Sequence, residues 1–144
     1  MATNRKLLSI NLNFSKWYSW QKRNQISGKD SSGVYIIAKS PKPPNCRANP
    51  RDKNIIYIGE SCSRTLKQRW SQFNYSMMTG RKKHSGGISY YHRFGDEGKN
   101  LYVAALPIID YAKNLQHLVI RYIERKLILD YALKYGSAPK LNHK

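Results

Sequence analysis

Acidic residues are scarce, with 8 Asp and Glu against 26 Lys and Arg, a formal net charge of +18. A surface so short of acids cannot neutralise itself, so a polyanion is drawn to it before any specific contact forms. Nucleic acid is the partner this balance indicates. Cysteine is almost absent, with Cys46 and Cys62 alone, and a chain of this size needs no disulfide staple, so free thiols are expected. Together with His84 and His92 they give separations of 16, 22 and 8 residues, which match no compact zinc-ligand pair. No run approaches the roughly 18 to 20 apolar residues of a spanning helix, and no basic amphipathic anchor stands apart. The stretch Met1–Ile10 lacks the apolar core and small-residue cleavage site of a signal peptide, so the cytoplasm is the expected compartment. At 144 residues the chain has the size of one domain with extensions.

Residues 1–31 are basic and polar with scattered aromatics, and Leu7, Ile10 and Phe14 recur at helical spacing, as do Trp17 and Trp20. A short packed N-terminal helix is expected there. The tryptophans either dock onto the core or, with Lys16, Lys22 and Arg23 beside them, stack on bases. The rest, 32–144, reads as one folded domain. Gly33–Ala38 and Ile55–Gly59 are β-branched and aromatic runs bounded by turn residues, as buried strands are. Between them the segment 40–53 holds Pro41, Pro43, Pro44 and Pro50, which forbid regular pairing and make it a long hairpin loop. From Thr65 to Met78 the apolar spacing turns helical, stopped by Gly80. A basic turn, Arg81-Lys82-Lys83, leads to a short helix over His84–Phe94, then a third strand over Leu101–Ile108. A long helix over Asn114–Tyr135, closed by Gly136, completes the order. An α+β domain is expected, with a small three-stranded, mostly antiparallel sheet flanked by helices.

Two charged residues look wrong for their places. On the last helix Ile120, Glu124, Leu127, Ile128 and Tyr131 share one flank, which embeds a carboxylate in an apolar stripe. Without a partner that costs several kcal/mol, so Glu124 must reach the rim, pair with a cation or bind a metal. Its i±4 positions are Ile120 and Ile128, and Arg121 and Arg125 are expected to face elsewhere. Arg69 falls on the core face between Leu66 and Phe73 and needs an anion, either Glu124 or Asp130 or a substrate phosphate; the shortage of acids favours phosphate. If the two strands form an antiparallel hairpin, Tyr35 and Tyr57 project from one face beside these helices.

Read in order, Gly33-Val34-Tyr35 and Tyr57-Ile58-Gly59 resemble the paired tripeptides of the GIY-YIG nuclease superfamily. Lys67-Gln68-Arg69-Trp70 resembles that family's arginine-bearing helix, His84-Ser85-Gly86-Gly87-Ile88 its central histidine segment, and Ile123-Glu124-Arg125 its glutamate-bearing helix. Pro139-Lys140-Leu141-Asn142 is similar to its terminal asparagine motif. There are two departures: the 22 positions from Tyr35 to Tyr57, where most members have a shorter hairpin, so 40–53 looks like an insertion, and Arg69, which lies a little further past the second tripeptide than usual, as if Ser61–Arg64 extends the turn.

The resemblance implies hydrolysis of nucleic-acid phosphodiesters with one divalent cation, magnesium or manganese, held by Glu124. A hard dication keeps much of its water, so one carboxylate can suffice. In this scheme Tyr57 takes a proton from the attacking water and exchanges its own through Tyr35 or His84, with Arg69, the metal and the cationic field favouring its phenolate. Arg69 stabilises the phosphoryl charge, Glu124 fixes the metal beside the leaving oxygen, and Asn142 orients a tyrosine or phosphate. His84 is alternatively the base, a phosphate contact or an ordinary helix-start residue. Lys67, Arg81, Lys82, Lys83 and Lys140 are the expected nucleic-acid contacts. Restriction-type cutting of duplex DNA leads the readings, and a double-strand cut would need a homodimer or successive nicks. The alternatives are a structure-specific or single-strand nuclease, and a non-catalytic nucleic-acid-binding module on the same fold.

Overall fold

The computed structural model describes residues 12–44 and 47–142. Strand β1 (Tyr18–Ser19) runs straight into a 3₁₀ helix (Trp20–Gln25). Then come β2 (Gly33–Lys39), β3 (Ile55–Ser61), α1 (Leu66–Thr79), α2 (Ser85–Arg93), β4 (Leu101–Pro107) and α3 (Lys113–Tyr135). The strands form one antiparallel sheet in the order β1-β4-β2-β3. The fold is therefore α+β, but with four strands rather than three. The extra strand, only two residues long, pairs Tyr18 with Val103 and Ser19 with Tyr102.

No α-helix covers Phe14–Trp20. Leu7 and Ile10, two of the five residues whose spacing suggested one, lie outside the described residues. Phe14, Trp17 and Trp20 are all buried. Trp20 donates its indole N–H to Asn74 Oδ1 at 2.9 Å and packs on Phe73. These rings serve the core, so the docking reading holds and base stacking by Trp17 and Trp20 is excluded.

Period-two alternation in the strands divides the core into two layers. Val34, Ile36, Ala104 and Leu106 face α3 through Val119, Ile120, Ile123 and Leu127. Tyr35, Ile37, Val103 and Ala105 face α1 through Leu66, Trp70, Phe73 and Met77, joined by Tyr90 of α2. Central β2 is covered on both faces, which is why its sequence is almost continuously apolar. A β-bulge between Ile37 and Ala38 sets Ala38 against Ile55 and leaves Ile56 as the extra residue. The capping box of Thr65 and Gln68 starts α1, and Gly80, at φ 72°, ends it. Of the proline-rich loop, Arg47 pairs with Lys16 in an isolated bridge, which ties the loop to the N-terminal segment.

Strand β3 is an edge, and its outer side is closed by the end of the chain. Leu141 donates its N–H to Ile56 O, and the Asn142 side chain both accepts from Ile58 N–H at 2.7 Å and donates to Ile58 O at 2.8 Å. An exposed row of backbone donors and acceptors is thereby satisfied.

Candidate active site

A cavity of about 450 Å³ opens beside that edge, lined by Tyr57, Arg69, Ser85, Ser89, Glu124, Arg125, Ile128, Leu141 and Asn142. Its walls come from both sides of the sheet: Tyr57, α1 and α2 from one, α3 from the other. Glu124 and Arg69 thus meet around the rim of β3 rather than beside a common face.

Tyr35 and Tyr57 lie on the same side of the hairpin, with ring centroids 6.0 Å apart. Tyr35 is fully buried, and its hydroxyl lies 2.8 Å from His84 Nε2. Only Tyr57 reaches the cavity. Two glycines make room for it. Gly59 stands opposite Tyr35 in the ladder, where a Cβ would lie 2.5 Å from the Tyr57 ring and 2.7 Å from the Tyr35 hydroxyl. A Cβ at Gly86 would come within 2.8 Å of the other edge of the same ring.

His84 is the N-cap of α2. Its Nδ1 accepts from Gly86 N–H at 3.0 Å and Gly87 N–H at 3.4 Å. Backbone N–H groups only donate, so Nδ1 is unprotonated and the ring proton sits on Nε2, facing the Tyr35 oxygen. Burial, and then the Arg69 charge, push the His84 pKa down to about 3, so the ring is neutral. With 2 % of its surface exposed and both nitrogens engaged, His84 presents no free nitrogen to the cavity. His84 therefore donates to Tyr35, the neighbouring Tyr35 hydroxyl favours the Tyr57 phenolate, and of the two phenols it is Tyr57 that opens to the cavity.

Of the groups expected to favour a Tyr57 phenolate, Arg69 does lower its pKa, but not enough. Burial dominates over Arg69, and the Tyr57 pKa is pushed up to about 12. Burial likewise raises the Tyr35 hydroxyl well above the ordinary tyrosine range.

Arg69 donates to Gln72 Oε1 at 2.8 Å, and among the described residues it has no ion pair. Asp130, the structural alternative, is held by Lys126 at 2.7 Å and Arg51 at 3.8 Å. Glu124 keeps a side chain only 17 % exposed and pairs with Arg125 at 3.4 Å, although Arg125 was expected to face elsewhere. The Arg125 side chain is 80 % exposed, so the pair is readily displaced. Burial and then the charge of Glu60 raise the Glu124 pKa.

Asn142 lines the cavity, but its amide is spent on Ile58, so it holds the edge rather than orienting a tyrosine. Lys67, Arg81, Lys82, Lys83 and Lys140 are all exposed. The turn bearing Arg81, Lys82 and Lys83 leads directly into Ser85 of the cavity wall, Lys140 precedes Leu141, and Lys67 stands in the first turn of α1. Sequence reasoning passed over Ser85 and Ser89, whose i, i+4 spacing after His84 was the available signal, and Glu60, which is adjacent to the second tripeptide.

Among the described residues no three of His, Cys, Asp and Glu gather as a metal cage. A hard dication with a mostly aqueous shell needs less: one carboxylate at an open, polar cavity fits it, and Glu124 is that carboxylate. Cys62 faces Glu60 at 2.9 Å, and burial raises its pKa to about 12, so its thiol stays protonated. Comparison of the chain with protein-family models, curated proteins and solved structures finds no match.

Proposed function

We propose that the protein is a divalent-metal-dependent endonuclease of the GIY-YIG kind that hydrolyses DNA phosphodiester bonds, with duplex DNA and restriction-type cutting as the leading form. The observation that carries this reading is the convergence of Arg69, without an ion pair among the described residues, a half-buried Glu124 and Tyr57 on one open cavity in a chain of net charge +18. A phosphate is the anion that Arg69 lacks, and its planar guanidinium can hold two oxygens at once. Glu124 would hold magnesium or manganese, which supplies a Lewis acid at the phosphoryl oxygens. As the phenolate, its own proton given up to solvent, Tyr57 accepts a proton from the attacking water, while Tyr35, held by His84, packs behind its ring. Ser85 and Ser89 offer hydroxyls to the phosphate, and Lys67, Arg81, Lys82, Lys83 and Lys140 supply charge around it.

The high pKa of Tyr57 favours a second reading, binding without turnover on the same fold. Supercoiled plasmid, linear duplex and single strands, incubated with and without magnesium, decide between them. Cleavage is expected only with the metal. Glu124→Gln and Arg69→Ala are expected to lose at least about 10²-fold in rate. Because the fold disfavours an ionised Glu124, Glu124→Gln should melt at the same temperature as the parent or higher. Parental cleavage by either variant overturns the site, and tight binding with no cleavage in any divalent metal selects the second reading.

A further inference from the structure

Beyond the reaction cavity a second depression of about 490 Å³ is lined by Arg64 and Gln68 on one side and Lys113, His117 and Arg121 on the other. On α3 the positions 113, 117, 121 and 125 follow at successive steps of four, so Lys113, His117, Arg121 and Arg125 form a continuous flank. Arg121 lines this depression and Arg125 the reaction cavity; on the opposite wall Gln68 and Arg69 are consecutive. One helical turn of α3 separates the two hollows, and Glu60 links them, paired with Arg121 at 3.8 Å and acting by its charge on Glu124, so they read as one groove along α3.

Lys113 and Arg64 have no ion pair among the described residues. Both stand at helix starts, Lys113 opening α3 and Arg64 preceding the cap of α1. The helix dipole disfavours a cation at either place, so neither charge helps its own helix. Both instead add to the positive ends of two helices that border the same groove, the arrangement that attracts phosphate. Asp30 is the one acid lining this hollow, and Lys29 neutralises it at 2.9 Å.

We infer that this groove is the track for the nucleic-acid strand on one side of the scissile phosphate, with Arg64 and Lys113 as backbone contacts. The inference rests on the nuclease reading for its direction. From Lys113 to Arg125 the helix rises about 18 Å at 1.5 Å per residue, the axial length of about five nucleotides of one strand. The contacts are to phosphates, so they are blind to sequence.

The test uses the full chain, labelled duplexes with nested flanks on each side of the cut, and the double variant Arg64→Gln/Lys113→Gln. Binding is measured in calcium across a salt series, and cleavage in magnesium. The double variant should bind about tenfold more weakly at moderate salt, and its log–log salt slope should fall by about 1.8, at roughly 0.9 per phosphate lost. The parent should slow when one flank drops below about five nucleotides, and the double variant should not. The control Lys53→Gln/Lys134→Gln removes the same charge from exposed positions outside the groove and should leave the slope near the parental value. An unchanged slope in the double variant, or an equal loss in the control, overturns the track. Failure of every protein to cleave in magnesium overturns the nuclease reading instead, and the binding series still reads the track.

Discussion

At the residue scale, the site turns on which phenol can act. Tyr35 is sealed behind Tyr57, and His84 donates to Tyr35 from Nε2, so only the Tyr57 oxygen has a free face. Burial holds that phenol near pKa 12, which leaves about 10⁻⁵ of it ionised at pH 7 without further help. If its phenolate is the base, the single-turnover rate should climb with pH from about 7 to about 9, close to tenfold per pH unit. Tyr57→Phe should lose about 10²-fold and flatten that rise; a variant that keeps both the rate and the slope would remove the proton-acceptor role. On the acid side the raised Glu124 pKa predicts that metal-supported cleavage fails at a higher pH than an ordinary glutamate would allow.

His84 also gives stability a pH dependence. Its folded pKa, about 3, lies below the ordinary 6.5, so the unfolded chain takes up the proton first. Stability is fully present above about pH 6.5 and is lost as pH falls toward 3, by on the order of 3 to 5 kcal/mol if this group acts alone. Between pH 7.5 and pH 5 that amounts to roughly 2 kcal/mol. His84→Asn keeps a capping oxygen for Gly86 and Gly87 but does not titrate. Urea midpoints at the two pH values should differ less in this variant than in the parent, and equal differences would place the acid sensitivity elsewhere.

At the scale of elements, long periodic segments were legible in the sequence and short irregular ones were not. β2, β3, α1, α2, β4 and α3 all fall within two residues of their expected bounds: β-branched apolar runs mark the strands, and helical apolar spacing with Gly80 or Gly136 as a stop marks α1 and α3. β1 has two residues, too few to show a period. Trp17 and Trp20 stand three apart, which suits a helix equally well as two anchors in an irregular strap. In the site, Glu124 and Arg69 were legible as charges on apolar faces. The burial of Tyr35 and His84 was not, since nothing in a sequence tells how deep a strand lies. Nor was the binding of Asn142 to Ile58, a contact across 84 positions. That contact is a test of how the edge strand is held. Asn142→Ala leaves both backbone groups of Ile58 unpaired and should cost about 1 to 3 kcal/mol, with faster amide exchange confined to β3. Gly59→Ala attacks the same strand from its inner face by driving a methyl into both phenols, and should abolish cleavage at a similar cost in stability. Full activity in Gly59→Ala would mean that the two tyrosines need not sit as close as they do.

For the whole molecule, the scarcity of acids acts on the fold and on the ligand in opposite senses. Of the eight acids, five already sit in ion pairs: Asp30, Glu60, Asp96, Glu124 and Asp130. The excess cations therefore repel one another across a small domain, and that repulsion weakens the compact state. Added salt screens it within a Debye length of about 10 Å at 0.1 M. The melting temperature should accordingly rise by a few degrees between about 0.05 and 0.5 M sodium chloride, since about 1 kcal/mol moves a domain of this size by roughly 2 to 8 °C. Over the same range duplex affinity should collapse, because each phosphate contact gives up its released counterion advantage. Inorganic phosphate should raise the melting temperature more than chloride at equal ionic strength, through Arg69, and Arg69→Ala should erase that difference while leaving the chloride response intact. A melting temperature that falls with salt would mean that surface ion pairs, rather than repulsion, dominate. An undiminished phosphate effect in Arg69→Ala would place the anion elsewhere, with the groove at Arg64 and Lys113 as the next position to substitute.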